Sequence, residues 1–276
     1  MDFVEIDIHC QHDLKDLLTA ELHQLGYESF LDTNKGFKAY QPLKNHNPDI
    51  LSELFERYAL GTSFKSKKLS DRNWNEIWEK TFEPIEIDDK CRIRASFHQP
   101  KDTFRYEIII DPKMAFGTGH HETTRQVIRF QLEIDHRNKS VLDVGCGTGI
   151  LSILAEMKGA TDIIAIDNDP YALCNTVDNK VLNSCQHITV KEGTVAGLSS
   201  GSRFDLILAN INRNVLLSEL AIYEKHLNNS GLVIISGFYT FDLPVIVKRI
   251  EACGLRIIQQ TAEHQWACLM LQKNQG

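Results

Sequence analysis

The sequence predicts an α/β protein in which a small α+β module precedes a Rossmann-like, doubly wound domain. Three observations carry this prediction. Residues 1–70 run strand, helix, strand, strand, helix, strand; from residue 85 apolar strands alternate with amphipathic helices; and glycine-rich turns fall where strands of such a sheet end. At 276 residues the chain is long for one compact domain and comfortable for a larger domain plus a module.

In residues 1–70, "FVEIDIH" reads as a strand and "DLKDLLTAELHQLG" as a helix with Leu14, Leu17, Leu18, Leu22 and Leu25 on one face, stopped by Gly26. "YESFLDT" and "KGFKAYQP" flank the turn signal "NKG". A second helix, "NPDILSELFERYALG", is entered through Asn-Pro and closed by Gly61, and "TSFKSKKLS" alternates like an edge strand. The order β-α-β-β-α-β is that of a ferredoxin-like module, whose helices cover one sheet face and leave the other for a partner. Residues 71–84 place Trp74, Ile77, Trp78 and Phe82 at helical spacing up to Pro84, as expected of a helical connector packed on a neighbouring domain.

Over residues 85–276, "PIEIDDKCRIRASF" and "FRYEIIID" read as strands and "TTRQVIRFQLEI" as a helix. Then "SVLDVG", "DIIAID", "ITVKEG", "FDLILANI" and "GLVIISGF" are strands. The helices between them are "GILSILAEMKG", "PYALCNTVDNKVLN" and "NVLLSELAIYEKHL". "LPVIVKRIEACG" adds a helix, and "LRIIQQTAE" and "QWACLMLQK" close the sheet. Strands as apolar as "DIIAI" require a mostly parallel sheet covered on both faces, and right-handed crossovers make it doubly wound.

Composition narrows the functional classes. The hydrophobic fraction is 42% and the charged fraction 24%, and no apolar run approaches the roughly 18 residues of a membrane span. The N-terminus is acidic, without a basic start and apolar block, so a cytoplasmic protein is expected. Seven cysteines without a C-x-x-C pair argue against a disulfide framework or structural zinc. The net charge of −7 disfavours wrapping of nucleic acid, which needs clustered Lys and Arg, and suits a basic partner.

In a doubly wound sheet, ligands bind at the C-terminal strand ends. "VLDVGCGTG" sits at such an end, where Gly145, Gly147 and Gly149 allow a tight turn and close backbone approach. "IIAIDNDP" ends the next strand in Asp167, whose carboxylate can accept from both ribose hydroxyls. The nicotinamide fingerprint G-x-G-x-x-G would need a glycine where Ile150 stands; the G-x-G-x-G spacing favours S-adenosyl-L-methionine, which has no pyrophosphate to cradle.

"DPKMAFGTGHHETT", "VLDVGCGTGILSI", "AIDNDPYAL" and "LILANI" together resemble the bacterial ribosomal-protein methyltransferases of the PrmA type, which modify large-subunit ribosomal protein eleven. The likeness extends over most of the chain, and "AFGTG-x-H-x-TT" is its most specific element. It implies a class I S-adenosylmethionine-dependent methyltransferase domain over 85–276, a helical linker over 71–84 and a substrate-recognition domain over 1–70. It further implies that Thr124, Gly145, Asp167 and Asn210 contact S-adenosyl-L-methionine, with Gly147, Phe116 and Gly117 as further candidates. The residue expected to orient the incoming amine is Asn210, whose amide can accept from it. Where relatives often read Thr-His-Pro, this chain has His120-His121-Glu122. Where many methyltransferases of planar bases and amides carry Asn-Pro-Pro-aromatic, it has Asn210-Ile211-Asn212-Arg213, which points toward flexible amines.

The implied reaction methylates lysine ε-amino or N-terminal α-amino groups of ribosomal protein eleven, free or on the ribosome. Alternatives of the same fold act on lysines of another protein or on nucleic acid; a non-catalytic nucleotide-binding module or a dehydrogenase is disfavoured by Ile150. No general base is assigned, since His120, His121 and Glu122 qualify by location alone. Adjacent histidines point apart and no third ligand is spaced for them, so no metal is expected. Cys146 fits a tight turn without a base to activate it, and Lys65, Lys67 and Lys68 read as solvated edge protection.

Overall fold

The computed structural model describes residues 3–10, 12–27, 29–33, 35–57, 63–69, 83–111 and 117–274. The connector helix expected over 71–84, with Trp74, Ile77, Trp78 and Phe82, and the candidate Phe116 lie outside the described residues. Two compact units divide the chain, Met1–Phe82 and Glu83–Gly276.

In the first unit, strands β1 (Phe3–His9), β2 (Ser29–Thr33), β3 (Gly36–Pro42) and β4 (Ser63–Leu69) form an antiparallel sheet in the order β2-β3-β1-β4. Helices α1 (His12–Gln24) and α2 (Pro48–Arg57) form the two crossovers, each spanning an intervening antiparallel strand. Period-two alternation sends Val4, Ile6 and Ile8 of β1 and Phe37 and Ala39 of β3 into one core with Leu18, Leu22, Leu51 and Leu54 of the helices. The opposite face mixes polar groups with exposed Leu31: Glu5 accepts from Lys38 Nζ (3.1 Å) and the Tyr40 hydroxyl (2.9 Å). Lys65, Lys67 and Lys68 are exposed on β4, an edge strand.

The second unit is built on a seven-stranded sheet. Its strands are β8 (Ser140–Val144), β9 (Asp162–Asp167), β10 (Ile188–Glu192), β11 (Phe204–Asn210), β12 (Leu227–Tyr239), β13 (Leu255–Glu263) and β14 (Trp266–Lys273), in the order β10-β9-β8-β11-β12-β14-β13. The first five pair in parallel, whereas β14 runs antiparallel to both of its neighbours. Helices α3 (Glu122–Glu133), α4 (Ile150–Met157) and α5 (Pro170–Leu182) lie on one face, and α6 (Arg213–His226) and α7 (Leu243–Ala252) on the other. Leu206 and Leu208 of β11 enter one core while Ile207 and Ala209 enter the other, which explains why these strands are apolar throughout. The strand order reverses between β8 and β11, so a crevice forms there at the carboxyl ends.

One expectation is corrected. "PIEIDDKCRIRASF" is not a single strand but a hairpin, β5 (Ile85–Ile87) and β6 (Cys91–Arg94). Asp88 and Asp89 at its turn adopt φ values of 50° and 52°, a left-handed backbone that short polar Asp side chains tolerate. With β7 (Tyr106–Ile109) the hairpin forms a separate three-stranded sheet.

Across that small sheet Glu107 receives Arg92 Nη1 at 2.6 Å and Arg94 Nε at 2.8 Å, and both arginines are buried. Burial would raise the Glu107 pKa, but hydrogen bonds from Arg94, the Lys101 N–H and Arg92 outweigh it and hold the carboxyl below its usual range. A depressed folded-state pKa stabilises the fold above the unfolded pKa and loses that contribution as pH falls through the folded value. Glu107→Gln leaves two buried guanidinium groups uncompensated and is expected to cost on the order of 3–5 kcal/mol at neutral pH. Denaturant titration at pH 7 and at acid pH checks it: the gap between wild type and variant should shrink as Glu107 protonates.

Candidate active site

Strand β8 runs into the turn Gly145–Gly149, in which Gly145, Gly147 and Gly149 all have positive φ. The amides of Gly145 and Cys146 both donate to the Ile166 carbonyl of β9 (2.9 and 3.0 Å), locking the turn against the neighbouring strand. One residue further, Asp167 Oδ2 accepts from the Gly147 N–H and Oδ1 from the Asp169 N–H, each at 3.0 Å. Two backbone donors thus orient the carboxylate, and each oxygen keeps lone-pair capacity for a ligand hydroxyl.

Helix α5 ties this turn to the chain ahead of it. Asn175 and Asn179 lie one turn apart on its buried face, and Asn183 continues the row at the C-cap. Asn183 pairs with the free edge of β7 as a strand would, accepting from Ile109 N (2.8 Å) and donating to Ile109 O (2.6 Å). Asn179 Oδ1 accepts from Asp111 N (3.0 Å), and Asn175 Nδ2 donates to Asp111 O (3.1 Å). Asn179 Nδ2 also donates to the Thr148 carbonyl inside the glycine turn (2.9 Å). Between these asparagines, the Thr176 hydroxyl donates to the Gly147 carbonyl (2.9 Å). Asp111 is thereby fixed against "DVGCGTG". The Thr148 hydroxyl also donates to the Gly117 carbonyl at 2.6 Å. A Cβ on Gly117, whose φ is +104°, would lie 2.9 Å from Thr148 Oγ1, so this contact needs glycine.

The third wall comes from α3 and β11. His121 N-caps α3, its ring accepting from Thr123 N, and the next residue, Thr124, is fully buried. Thr124 Oγ1 accepts from Asn210 Nδ2 at 3.3 Å, bringing together two residues 86 apart in sequence. Asn210 Oδ1 is buried without a hydrogen-bond partner. An orphaned buried acceptor costs about 1–3 kcal/mol, so its retention at a strand end points to a ligand donor.

Ile211, the next residue, is clasped by two glycines. A Cβ on Gly145 would lie 2.5 Å from Ile211 Cγ2, and one on Gly237 (φ +94°) would lie 2.2 Å from the Ile211 carbonyl oxygen. The Ile211 N–H donates to Ser236 O, next to a register shift in β12. Asn212 then caps α6 by accepting from Val215 N at 3.1 Å. Asn210 is therefore aimed by backbone contacts on both sides.

Of the candidates from sequence, Gly145, Gly147, Asp167 and Gly117 meet around one turn, and Thr124 and Asn210 meet beside it through Ile211. The remaining candidates are engaged elsewhere. Glu122 pairs with His264 (3.2 Å) and Arg125 (3.7 Å). Burial lowers the pKa of His120 and of His121. Burial pushes the Cys146 thiol up, with Asp143 adding to the effect, so it stays protonated. Among the described residues no group of three His, Cys, Asp or Glu side chains is arranged to hold a metal ion.

Sequence reasoning missed Asn175, Asn179 and Asn183, Thr148, Thr176, Ile211 and Gly237. The asparagines carried a readable signal: Asn at i, i+4 and i+8 is disfavoured in a helix unless its side chains have backbone partners. Gly237 inside "VIISGF" was another, since a glycine within a strand marks a bulge or a close backbone approach.

Residues 27–274 match the family model described as "Ribosomal protein L11 methyltransferase (PrmA)". The chain is 43% identical over 258 residues to the ribosomal protein L11 methyltransferase of Porphyromonas gingivalis, covering 92% of this chain and 89% of the relative. It is 34% identical over 282 residues to the protein of the same name from Chlorobaculum parvum, covering 98% and 96%. Among solved structures it is similar to a ribosomal protein L11 methylase from Lactobacillus delbrueckii subsp. bulgaricus, with a TM-score of 0.65 and 28% identity, covering 70% of this chain and 100% of that one.

Beneath the glycine turn, Asp143 of β8 is fully buried and accepts from Ser152 N (3.1 Å) and Ser152 Oγ (2.7 Å). Burial pushes its pKa up to about 6, against the lowering effect of the Ser152 bonds and with the Asp167 charge raising it further. A carboxyl whose pKa is raised on folding stabilises the fold fully below its unfolded pKa, and that stability is lost as pH rises through the folded value. From about pH 4 to about pH 6, wild-type stability should fall relative to Asp143→Asn by up to roughly 1.4 kcal/mol per pH unit. Paired denaturation curves across that range measure it, and parallel pH profiles would show that Asp143 does not titrate there.

Proposed function

The chain belongs to the ribosomal protein L11 methyltransferase (PrmA) family, and we propose that it transfers methyl groups from S-adenosyl-L-methionine to amines of ribosomal protein L11, lysine ε-amines and the N-terminal α-amine being the acceptors. The unit beginning at Glu83 is a Rossmann-like class I methyltransferase domain. The observation that carries the reading is the orphaned, buried Asn210 Oδ1, held beside Thr124 at the sheet's switch point. An amine N–H is the donor that this acceptor lacks.

The residues fit the methyl donor. Gly145, Gly147 and Gly117 keep side chains away from the crevice, Asp167 presents a carboxylate to the ribose hydroxyls, and Thr124 offers a hydroxyl from the start of α3. When bound, S-adenosyl-L-methionine supplies a methyl on a cationic sulfonium, which an uncharged amine displaces in line as S-adenosylhomocysteine leaves. Asn210 Oδ1 accepts from the amine and so turns the nitrogen lone pair toward the methyl. Alignment and exclusion of water carry most of the acceleration, because the leaving group needs no protonation. An amine of pKa about 10 must first lose a proton, and a water-connected crevice accepts it without a dedicated base.

We assign residues 1–70 to recognition of L11, either free or on the ribosome. In support, the sheet face away from α1 and α2 carries Glu5, Asp7 and Lys38 beside exposed Leu31. No helix among the described residues is long and apolar enough to cross a membrane. A site of action in the cytoplasm, where ribosomal proteins are made, follows from the same reading.

The test is transfer of labelled methyl groups to purified L11. Asp167→Ala is expected to weaken donor binding at least about tenfold, whereas Asn210→Ala should lower kcat by about 10²-fold or more. Unchanged donor affinity in Asp167→Ala, read by calorimetry, would show the ribose contact to be misplaced. Deleting residues 1–70 should abolish L11 modification while donor binding persists; normal methylation by the truncated chain would end the recognition assignment.

A further inference from the structure

At the carboxyl ends of β11 and β12, beyond Asn210, an open pocket of about 560 Å³ is lined by Asn212, Arg213, Gly237, Tyr239, Phe241 and Trp266, among others. Its wall is a run of aromatic rings. Tyr239 stacks on Phe241 at a centroid distance of 4.9 Å and lies 4.0 Å from Trp266, and Trp266 meets the His121 ring edge-on at 4.7 Å. Phe241 is 68% exposed and Tyr239 37%, so the stacked rings leave apolar surface in water. Contiguous bare apolar surface beside a reaction site marks a place where something binds.

The wall is built to stay in place. Asp242, nearly buried, accepts from Tyr239 N (3.0 Å) and from Arg213 Nη1 (2.7 Å), joining the segment after β12 to the start of α6. Gln126 of α3 donates to the Trp266 carbonyl (3.1 Å), and Arg129 of the same helix pairs with Glu263 (2.7 Å) across the β13–β14 turn. The helix that carries Thr124 therefore also fixes Trp266.

The lining chemistry selects among occupants. A nucleic-acid strand would stack bases on these rings but needs cations for its phosphates, and among the described residues the one basic side chain lining the pocket, Arg213, is already held by Asp242. A lysine side chain is complementary: its methylene stem packs on ring faces while its ammonium is attracted to them. Asn212 lines the pocket two residues beyond Asn210, which sets the pocket at the strand end that carries the orphaned Oδ1.

We propose, resting on the methyltransferase reading above, that this aromatic-walled pocket is the docking groove for the acceptor segment of the substrate protein, with a lysine side chain lying along Phe241, Tyr239 and Trp266 and its amine at Asn210. Because Phe241 is exposed, its substitution leaves the core intact, and the full-length chain serves for the test. With purified L11 as acceptor, Phe241→Ala is expected to raise KM for L11 about tenfold. Phe241→Trp should restore it, and the affinity for S-adenosylhomocysteine, read by calorimetry, should stay at the wild-type value. A KM for L11 within twofold of wild type in both Phe241→Ala and Trp266→Leu overturns the groove. So does loss of affinity for a ribosomal RNA fragment with the L11 KM unchanged, which assigns the rings to bases. A wild-type chain that transfers no methyl to L11 instead fails the functional reading, and the groove falls with it.

Discussion

The site depends on the row of asparagines along α5. Two glycine-bearing loops must lie one against the other for the crevice to form, and irregular chain offers no ladder of its own to hold them. Asn175, Asn179 and Asn183 supply it, hydrogen-bonding Asp111 and Ile109 on one side and the Thr148 carbonyl on the other. These side chains are mostly buried, and a buried amide left without partners costs about 1–3 kcal/mol, so losing the docked arrangement penalises both loops and helix. The interaction is cooperative in that sense: α5 can pack with its polar row inward only if the loops occupy their places.

The same logic of enforced pairing makes an unpaired group informative. Thr148, Thr176 and Asn179 are paired around the glycine turn, whereas Asn210 Oδ1, like Asp143 Oδ1 beneath it, has no donor. The clasp of Gly145 and Gly237 on Ile211 denies the neighbouring backbone the freedom to relieve it. A fold that spends stability to hold an unsatisfied group in a fixed direction is pre-organised for the molecule that satisfies it.

Much of this was legible in the sequence, for identifiable reasons. Strand and helix positions in the larger unit followed from apolar runs and 3.6-residue periodicity, because a sheet covered on both faces leaves little choice of residue. Gly145, Asp167 and Asn210 were candidates because strand ends are where such sheets bind ligands. The hairpin at Asp88 and Asp89 escaped, since nothing in a continuous polar–apolar alternation says where left-handed residues break it. Tyr239, Phe241 and Trp266 also escaped. Their proximity is a product of sheet order, which places β14 beside β12, and local pattern does not encode that order.

That sheet order bears on how the protein is made. β14 is the last strand of the sheet to be synthesised, yet it sits inside it, flanked by β12 and β13, with Ala267–Leu271 buried. Until it emerges, β12 presents an unpaired apolar edge, and the wall to which Trp266 contributes does not exist. Closure of such a non-local pairing comes late and exposes sticky surface while it waits. A chain stalled before residue 266 would therefore hold the segments around Gly145 and Asp167 but not the wall to which Trp266 contributes. The order of translation thus separates them in time: the glycine turn is synthesised well before the strand that carries Trp266.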